Sequence, residues 1–360
     1  IQGTTMIKRR EFLKGALLSG VIPTSLANIS SPKEPLKVSA FGGFFQKAFE
    51  SSICKQFTEE TNIPVTTMSQ GQGDDWLFPL IRAVRGGLAP MDVTILDEVG
   101  LIKLMGMGDI VKSLNLDKMT NAGELTGRYL FQHDGRTFGV GVMEWYQNIV
   151  TNPEVLVSPP TSWRQLFEDD LYKGKIGLIG LYDGGMIEVV AKTYFDGNET
   201  LNTRAGIRAV IEKVGKLKEQ VGFWWTAESQ MEQAIRSQNV IAGSFFHDVA
   251  LLLKEDNFPI DSTFPIEGSF TGINKLCIPA TSKRTQDAEM FIDFCARPDN
   301  QARFAREMRL APVISQKRAG LNDIEFSEVS TSIEPIPQAA QTMVKDADYL
   351  QRLWQRMITS

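Results

Sequence analysis

The sequence predicts an α/β protein of two lobes. Three observations carry that expectation: short apolar strands alternate with amphipathic helical segments, several strands stop on glycines or carboxylates, and 360 residues suffice for two lobes of ordinary size. With 42% hydrophobic and 22% charged residues the chain has the composition of a globular protein that buries a large core. A net charge of −5, with no long Lys/Arg cluster in the body, argues against a nucleic-acid surface and favours neutral or cationic small partners.

Residues 1–5 read as a tag or upstream fragment, and Met6 as the start. Lys8-Arg9-Arg10-Glu11-Phe12-Leu13-Lys14, the uncharged segment from Ala16 to Ile22 and Ser25-Leu26-Ala27 follow in the order of a basic region, a hydrophobic region and a cleavage site. The paired arginines followed by Phe-Leu-Lys resemble a twin-arginine export signal, so 6–27 is expected to be a signal peptide, 28–35 a linker, and the mature chain periplasmic. No later run approaches the roughly 18–20 apolar residues of a membrane span.

Leu36 to Phe41 reads as a first strand, ending at Gly42-Gly43, which present Phe44 and Phe45. Phe49, Ile53 and Phe57 recur at helical spacing from Gln46 to Thr61, and Asn62-Ile63-Pro64 breaks the helix into a second strand. Trp76 to Val84 is helical in pattern despite Pro79, and Gly86-Gly87 ends it. Asp92 to Leu96 is a third, buried strand that stops on Asp97 and Glu98, two acids that either face a cleft or form a solvated loop. Gly139 to Asn148, containing Glu144 and Trp145, suits a strand leading out of the first lobe.

Beyond the proline-rich turn at 152–161, Trp163 opens a short helix, and Lys175 to Leu181 is a buried strand running into Tyr182-Asp183-Gly184-Gly185. Ile207, Val210, Ile211, Val214, Leu217 and Val221 mark an amphipathic helix that Gly222 to Trp225 is expected to end. Met231 to Arg236 is a short helix, and the strand Val240 to Phe246 stops at His247-Asp248. Leu276 to Pro279 is strand-like, Ala288 to Cys295 helical, a further helix carries Phe304 and Met308, and Tyr349 to Ile358 is a last helix.

Four strand ends thus carry acids or aromatics: Phe44-Phe45, Asp97-Glu98, Tyr182-Asp183 and Phe246-His247-Asp248. Convergent strand ends with aromatic walls and carboxylates suit a small cationic or polyol ligand, while core packing remains the alternative for the rings and a hydrogen-bonded core histidine for His247. GxSxG, HExxH, Walker and strand-to-helix GxGxxG patterns do not occur, so no cofactor is expected. Two histidines and three scattered cysteines, Cys54, Cys277 and Cys295, make a metal centre hard to build and allow at most one disulfide. Asp183 with Asp248 could act as a general acid/base pair at a separation of about 5–9 Å, which keeps an exported hydrolase as the alternative from another class. Asp74-Asp75 reads as a helix cap and first-turn charge.

Gln56 to Val65, Asp92-Val93-Thr94-Ile95, Pro160-Thr161-Ser162-Trp163 through Leu166, Tyr172-Lys173-Gly174-Lys175 and Ala288 through Pro298 together resemble the solute-binding proteins of ABC transporters, within them the spermidine/putrescine-binding branch. Order and spacing hold from about Leu36 to Ser315. The resemblance implies a two-lobed type II periplasmic-binding fold with the ligand cleft between lobes and chain crossings near Glu144 to Asn148 and Thr271 to Lys275. It implies lobe 1 from 36–144 and 275–325, lobe 2 from 145–274 and 326–360, and a monomer that captures a solute and delivers it to membrane permease subunits rather than an enzyme. The sequence departs from the polyamine pattern: Phe44 and Phe45 stand where that branch has a Trp and a Tyr, Phe246 where it has a Trp, and Gly272-Ile273-Asn274 at its Trp-x-Asp, while Asp183 is near its place. Phe44, Trp145 and Phe246 are expected to wall the ligand, and Asp97, Glu144, Asp183 and Asp248 to pair its polar or amine groups, with Phe45, Glu98, Tyr182, His247 and Asn274 beside them. The runner-up ligand is a small organic acid held by Lys275 or an arginine.

Overall fold

A computed structural model describes residues 34–359; the export segment expected in 6–27 lies outside them. Strand β1 (Leu36–Phe41) pairs in parallel with β2 (Val65–Gln70), and a parallel bridge from Val38 to Val93 sets β3 (Thr94–Leu96) on its other side. The Gln70 side chain supplies what this short contact lacks: its amide donates to Ile95 O (3.0 Å) and its oxygen accepts from Ile95 N (3.3 Å). Asp92 ties the start of the strand by accepting from Lys37 N (3.0 Å) and the Ser282 hydroxyl (2.7 Å).

The helix after β1 runs from Phe44 to Thr61 with a π-helical turn at Glu50–Cys54. Its stripe of Phe49, Ile53 and Phe57 is fully buried, Phe49 stacking on Phe304 and Phe57 meeting Phe291 and Phe294 edge-on. Helix Gly73–Arg85 holds Pro79 in its interior and begins three residues before its apolar pattern does.

Short β4 (Leu130–His133) is followed by the longest strand, β5 (Arg136–Thr151). Lobe 2 then adds β6 (Ile176–Ile179), β7 (Val221–Trp225), β8 (Ala242–Phe246) and β9 (Asp261–Thr263). Strand β10 (Phe270–Cys277) returns antiparallel to β5, and β11 (Ile336–Pro337) pairs with its start. One end of the β5–β10 ladder joins β3 and β4, and the other joins β8 and β9, with β6 between β8 and β7.

The apolar cores follow this division. Around β1 lie Leu36, Phe49, Phe57, Phe291 and Phe304, with a second cluster under helices Gly73–Arg85 and Glu98–Met105. Around β6 lie Trp163, Ile176, Trp225, Phe245 and Trp354. Two lobes are therefore strung on one pair of continuous strands. Besides β5 and β10 the chain passes between the cores a third time, between Val329 in the first and Ile336 in the second.

Several elements differ from expectation. Gly222 to Trp225 is not a helix end: helix Arg204–Lys216 stops earlier, and β7 pairs in parallel with β6. Val221 fits the helical stripe and the strand equally, and only its sheet partner decides between them. Helices Glu98–Met105 and His247–Glu255 follow β3 and β8 at once, and helix Met186–Tyr194 follows β6 after the loop 180–185, where the sequence pattern shows strand ends alone. The last helix extends over Ala347–Thr359, and β10 begins six residues before its apolar end at Leu276.

Gly272 of β10 faces Trp145 of β5, and a Cβ there would stand 2.2 Å from the indole. Gly272→Ala is expected to force the indole aside and lower stability by about 1–3 kcal/mol in urea denaturation. An unchanged midpoint would show that the ring moves freely.

Candidate functional site

Three of the strand ends named above run straight into helix caps or first turns, which places their side chains beside backbone N–H groups, whereas Tyr182 and Asp183 lie in the loop between β6 and helix Met186–Tyr194. Asp97 caps helix Glu98–Met105 by accepting from Gly100 N at 2.7 Å. Its carboxyl is raised above the usual aspartate range chiefly by burial, against the lowering pull of that N–H and of Lys103 and Lys275. Neighbouring Glu98 accepts from Lys275 Nζ at 2.7 Å, so the fully buried lysine of β10 is already neutralised.

Asp183, from the loop after β6, is likewise raised first by burial and then by Asp97, which brings acids from opposite lobes into one field. Asp74 acts on Asp183 too, although Asp74 itself pairs with Lys103 at 2.7 Å. Tyr182 beside it is raised by burial and by Asp183, Asp74 and Asp348. Here the lobes meet: helix Ala340–Lys345 packs on helix Glu98–Met105, and Val99 reaches the lobe 2 core.

Trp145 is partly buried and packs against both cores, with its ring edge-on to Phe246 (5.5 Å) and Phe270 (5.8 Å). Phe246 also meets Trp225 at 6.0 Å, and Asn274 lies buried at the bulge of β10. Phe45 stacks on Phe49 at 5.7 Å, whereas Phe44 is 55% exposed. Asp248, in the first turn of helix His247–Glu255, is raised to about 7 by burial and then by Glu228, and its Oδ1 is buried without a hydrogen-bond partner.

Two of the anticipated residues are spent on structure. Glu144 is buried on β5 with both oxygens engaged: Arg128 reaches Oε1 at 2.9 Å and Oε2 at 3.1 Å, Thr271 donates to Oε1 at 2.8 Å and Tyr129 to Oε2 at 3.3 Å. Its backbone N–H and carbonyl also pair with Ala311. His247 stands 2.6 Å from the Glu328 carbonyl and 2.8 Å from the Ser262 hydroxyl. A carbonyl can only accept, so Nε2 carries the proton and Nδ1 accepts from Ser262. Burial pulls this histidine down to about 4, which keeps it neutral.

The structure therefore gathers Asp97 with Asp183 and Tyr182, gathers Trp145 with Phe246, ties Glu144 into the inter-lobe strands and ties His247 to β9 and helix Asp323–Val329. The neighbour acting on Asp248 is Glu228, which the sequence reading missed; the signal was Trp224-Trp225-Thr226 running into an acid, hidden by reading that stretch as a helix end. No group of three or more His, Cys, Asp or Glu suited to a metal occurs among the described residues.

Residues 52–321 match the family model of the bacterial extracellular solute-binding protein. A spermidine/putrescine-binding periplasmic protein of Escherichia coli (strain K12) is 24% identical over 254 residues, which cover 69% of this chain and 69% of that protein. Among solved structures, a GABA receptor shares the fold at TM-score 0.74 and 20% identity, covering 90% of this chain and 97% of its own. A spermidine/putrescine ABC transporter substrate-binding protein of Streptococcus pneumoniae does so at TM-score 0.72 and 18% identity, covering 90% and 98%.

Glu144 is the buried partner of its pair, at 2% side-chain exposure against 39% for Arg128. Arg128→Met is therefore expected to cost about 3 kcal/mol at neutral pH, because it strands a buried carboxylate, and Glu144→Gln about 1, because the arginine rehydrates. The gap narrows on acidification, as the stranded acid protonates; urea denaturation of both variants at two pH values tests this. For His247 the folded pKa lies below the unfolded one, so between about 6.5 and about 4 the unfolded chain binds the extra proton. The stability advantage of the parent over His247→Gln is expected to shrink as pH falls through that window, and the ring signals in NMR to titrate near 4.

Proposed function

The chain belongs to the bacterial extracellular solute-binding protein family, and we propose that the solute it captures is a small amine-bearing cation, delivered to the membrane subunits of an ABC importer. The observation that carries the choice of ligand is the state of the charges around the cleft. The cations there are engaged: Lys275 with Glu98, Lys103 with Asp74 and Arg128 with Glu144. Asp97, Asp183 and Asp248 form no ion pair among the described residues, and burial disfavours their charged forms. An incoming ammonium group relieves that cost, whereas an organic acid finds these three cations already paired and meets three carboxyl groups.

Trp145 and Phe246 form the wall, their rings offering cation–π and apolar contact to the methylenes and charge of an alkylamine. Closure is a hinge motion along β5 and β10 that the ligand favours by touching acids of both lobes. The polyamine-binding relatives are named for amine cations, which agrees with this reading, and the GABA receptor for an amine that also carries a carboxylate. The twin-arginine-like segment Lys8 to Lys14 agrees with export in a folded form. Hydrolysis by Asp183 with Asp248 is the weaker reading: Asp183 feels Asp97 and Asp74, and Asp248 feels Glu228.

A thermal-shift series of alkylamines, diamines and amino acids against simple organic acids tests the ligand class. Stabilisation by an amine is expected, with a gain of about 2.7 kcal/mol at a hundredfold excess over Kd, and Asp183→Asn is expected to weaken it at least tenfold. Stabilisation by organic acids with none by amines would sink the proposal.

A further inference from the structure

Beyond the meeting of Asp97 and Asp183, a second pair of carboxyl groups sits in lobe 2. Glu228 opens helix Glu228–Arg236 three residues after β7, and Asp248 lies in the first turn of helix His247–Glu255 two residues after β8. Strand β6 alone separates β7 from β8, so both acids project beyond the same end of one sheet.

The surroundings of this pair leave polar capacity unused. Asp248 Oδ1 is buried and accepts no hydrogen bond. On β5, Asn148 is fully buried with both amide atoms unpartnered, and its cross-strand neighbour is Phe245. Gly243, two residues before Phe245 and so on the same face of the sheet, packs under Met231 of helix Glu228–Arg236. The orphaned amide is thus on the face which that helix covers. Trp225, meeting Phe245 at 5.6 Å and Phe246 at 6.0 Å, makes the floor aromatic.

The charged groups nearby do not neutralise the pair. Glu232, one turn along from Glu228, adds a like charge. His247 is neutral and turned to Ser262 and Glu328, Lys254 pairs with Asp261, and Glu255 pairs with Arg309. Two adjacent acids with a buried, unpartnered oxygen and no cation hold a proton in place of a counter-charge. Burial first, and Glu228 second, push Asp248 up to about 7, in agreement with that geometry.

We propose that Glu228 and Asp248 form a second ammonium-receiving subsite of the cleft, one that gives up a shared proton as the positive end of the solute docks. The proposal rests on the amine reading above and adds a place and a linkage to it. Capture then consumes a deprotonated pair, so affinity is full above neutrality and falls below it. The proton leaves to solvent, and the ligand's ammonium takes over its charge.

The test uses the mature protein and 1,4-diaminobutane as probe. In the free protein, carbon-13 NMR of the aspartate carboxyls is expected to show Asp248 titrating near 7 rather than in the ordinary range near 4. Calorimetry at pH 7 in buffers of different ionisation enthalpy is expected to show proton release on binding, and a single linked proton makes affinity about tenfold weaker at pH 6 than at pH 8. Glu228→Gln and Asp248→Asn abolish the release, whereas Asp183→Asn weakens binding and keeps it. Binding of the diamine with no proton release and no change from pH 6 to 8 overturns the subsite and leaves the amine reading standing. An Asp248 that titrates near 4 in the parent protein overturns it without recourse to any variant. Absence of diamine binding at every pH, with amino acids or monoamines bound instead, moves the solute class and removes the second subsite with it.

Discussion

Everything in this molecule hangs on one ladder, the antiparallel pairing of β5 with β10. Each strand begins in one core and ends in the other, so the same backbone hydrogen bonds that run through the larger sheet also join two lobes. At the middle of that ladder the side chains cannot all be apolar, because the strands leave one core before they enter the next. Glu144 fills the gap as a buried carboxylate with Arg128, Thr271 and Tyr129 around it. On the opposite face Trp145 lies over Gly272 and meets Phe246 and Phe270. One face of the crossing is thus a polar knot and the other an aromatic wall.

The polar knot limits where ligand chemistry can reside. A carboxylate whose oxygens accept from an arginine, a threonine and a tyrosine has no lone pair left for a solute, and the same holds for His247, whose two ring nitrogens are taken. Three acids are left short of counter-ions: Asp97 at a helix cap, Asp183 in the loop after β6 and Asp248 in a helix first turn. Their raised pKa values and the paired state of the nearby lysines are two expressions of one imbalance: buried negative capacity exceeds buried positive charge.

The strand-and-helix order was legible because its signals are local. Phe49, Ile53 and Phe57 announce a helix by spacing alone, Gly42-Gly43 and Asn62-Ile63-Pro64 announce its limits, and Thr94 to Leu96 is apolar enough to be a buried strand wherever it pairs. Residues that satisfy two periods at once were illegible. Val221 completes a helical stripe and also starts β7, and the choice was made by β6, far away in sequence. Helix His247–Glu255 was overlooked because its first turn looks like the polar end of a strand.

By itself the sequence determined the α/β class, the order of most elements, the aromatic and acidic character of the strand ends, and enough motif order to point to solute-binding proteins. The first three follow from propensity, periodicity and composition, which each short stretch carries within itself, and the last rests on resemblance to a known family. Tertiary structure alone decided which acids are free. Glu144 within one apolar strand and Asp183 just beyond another are alike as isolated acids in the sequence, but Arg128 and Thr271 reach the first and Asp97 acts on the second. Likewise Glu228 gained its significance only when β6 set β7 and β8 on either side of it and brought an unremarked acid up to Asp248. A charge's partner is a matter of distance through space, and distance between residues a hundred positions apart is written in no local pattern.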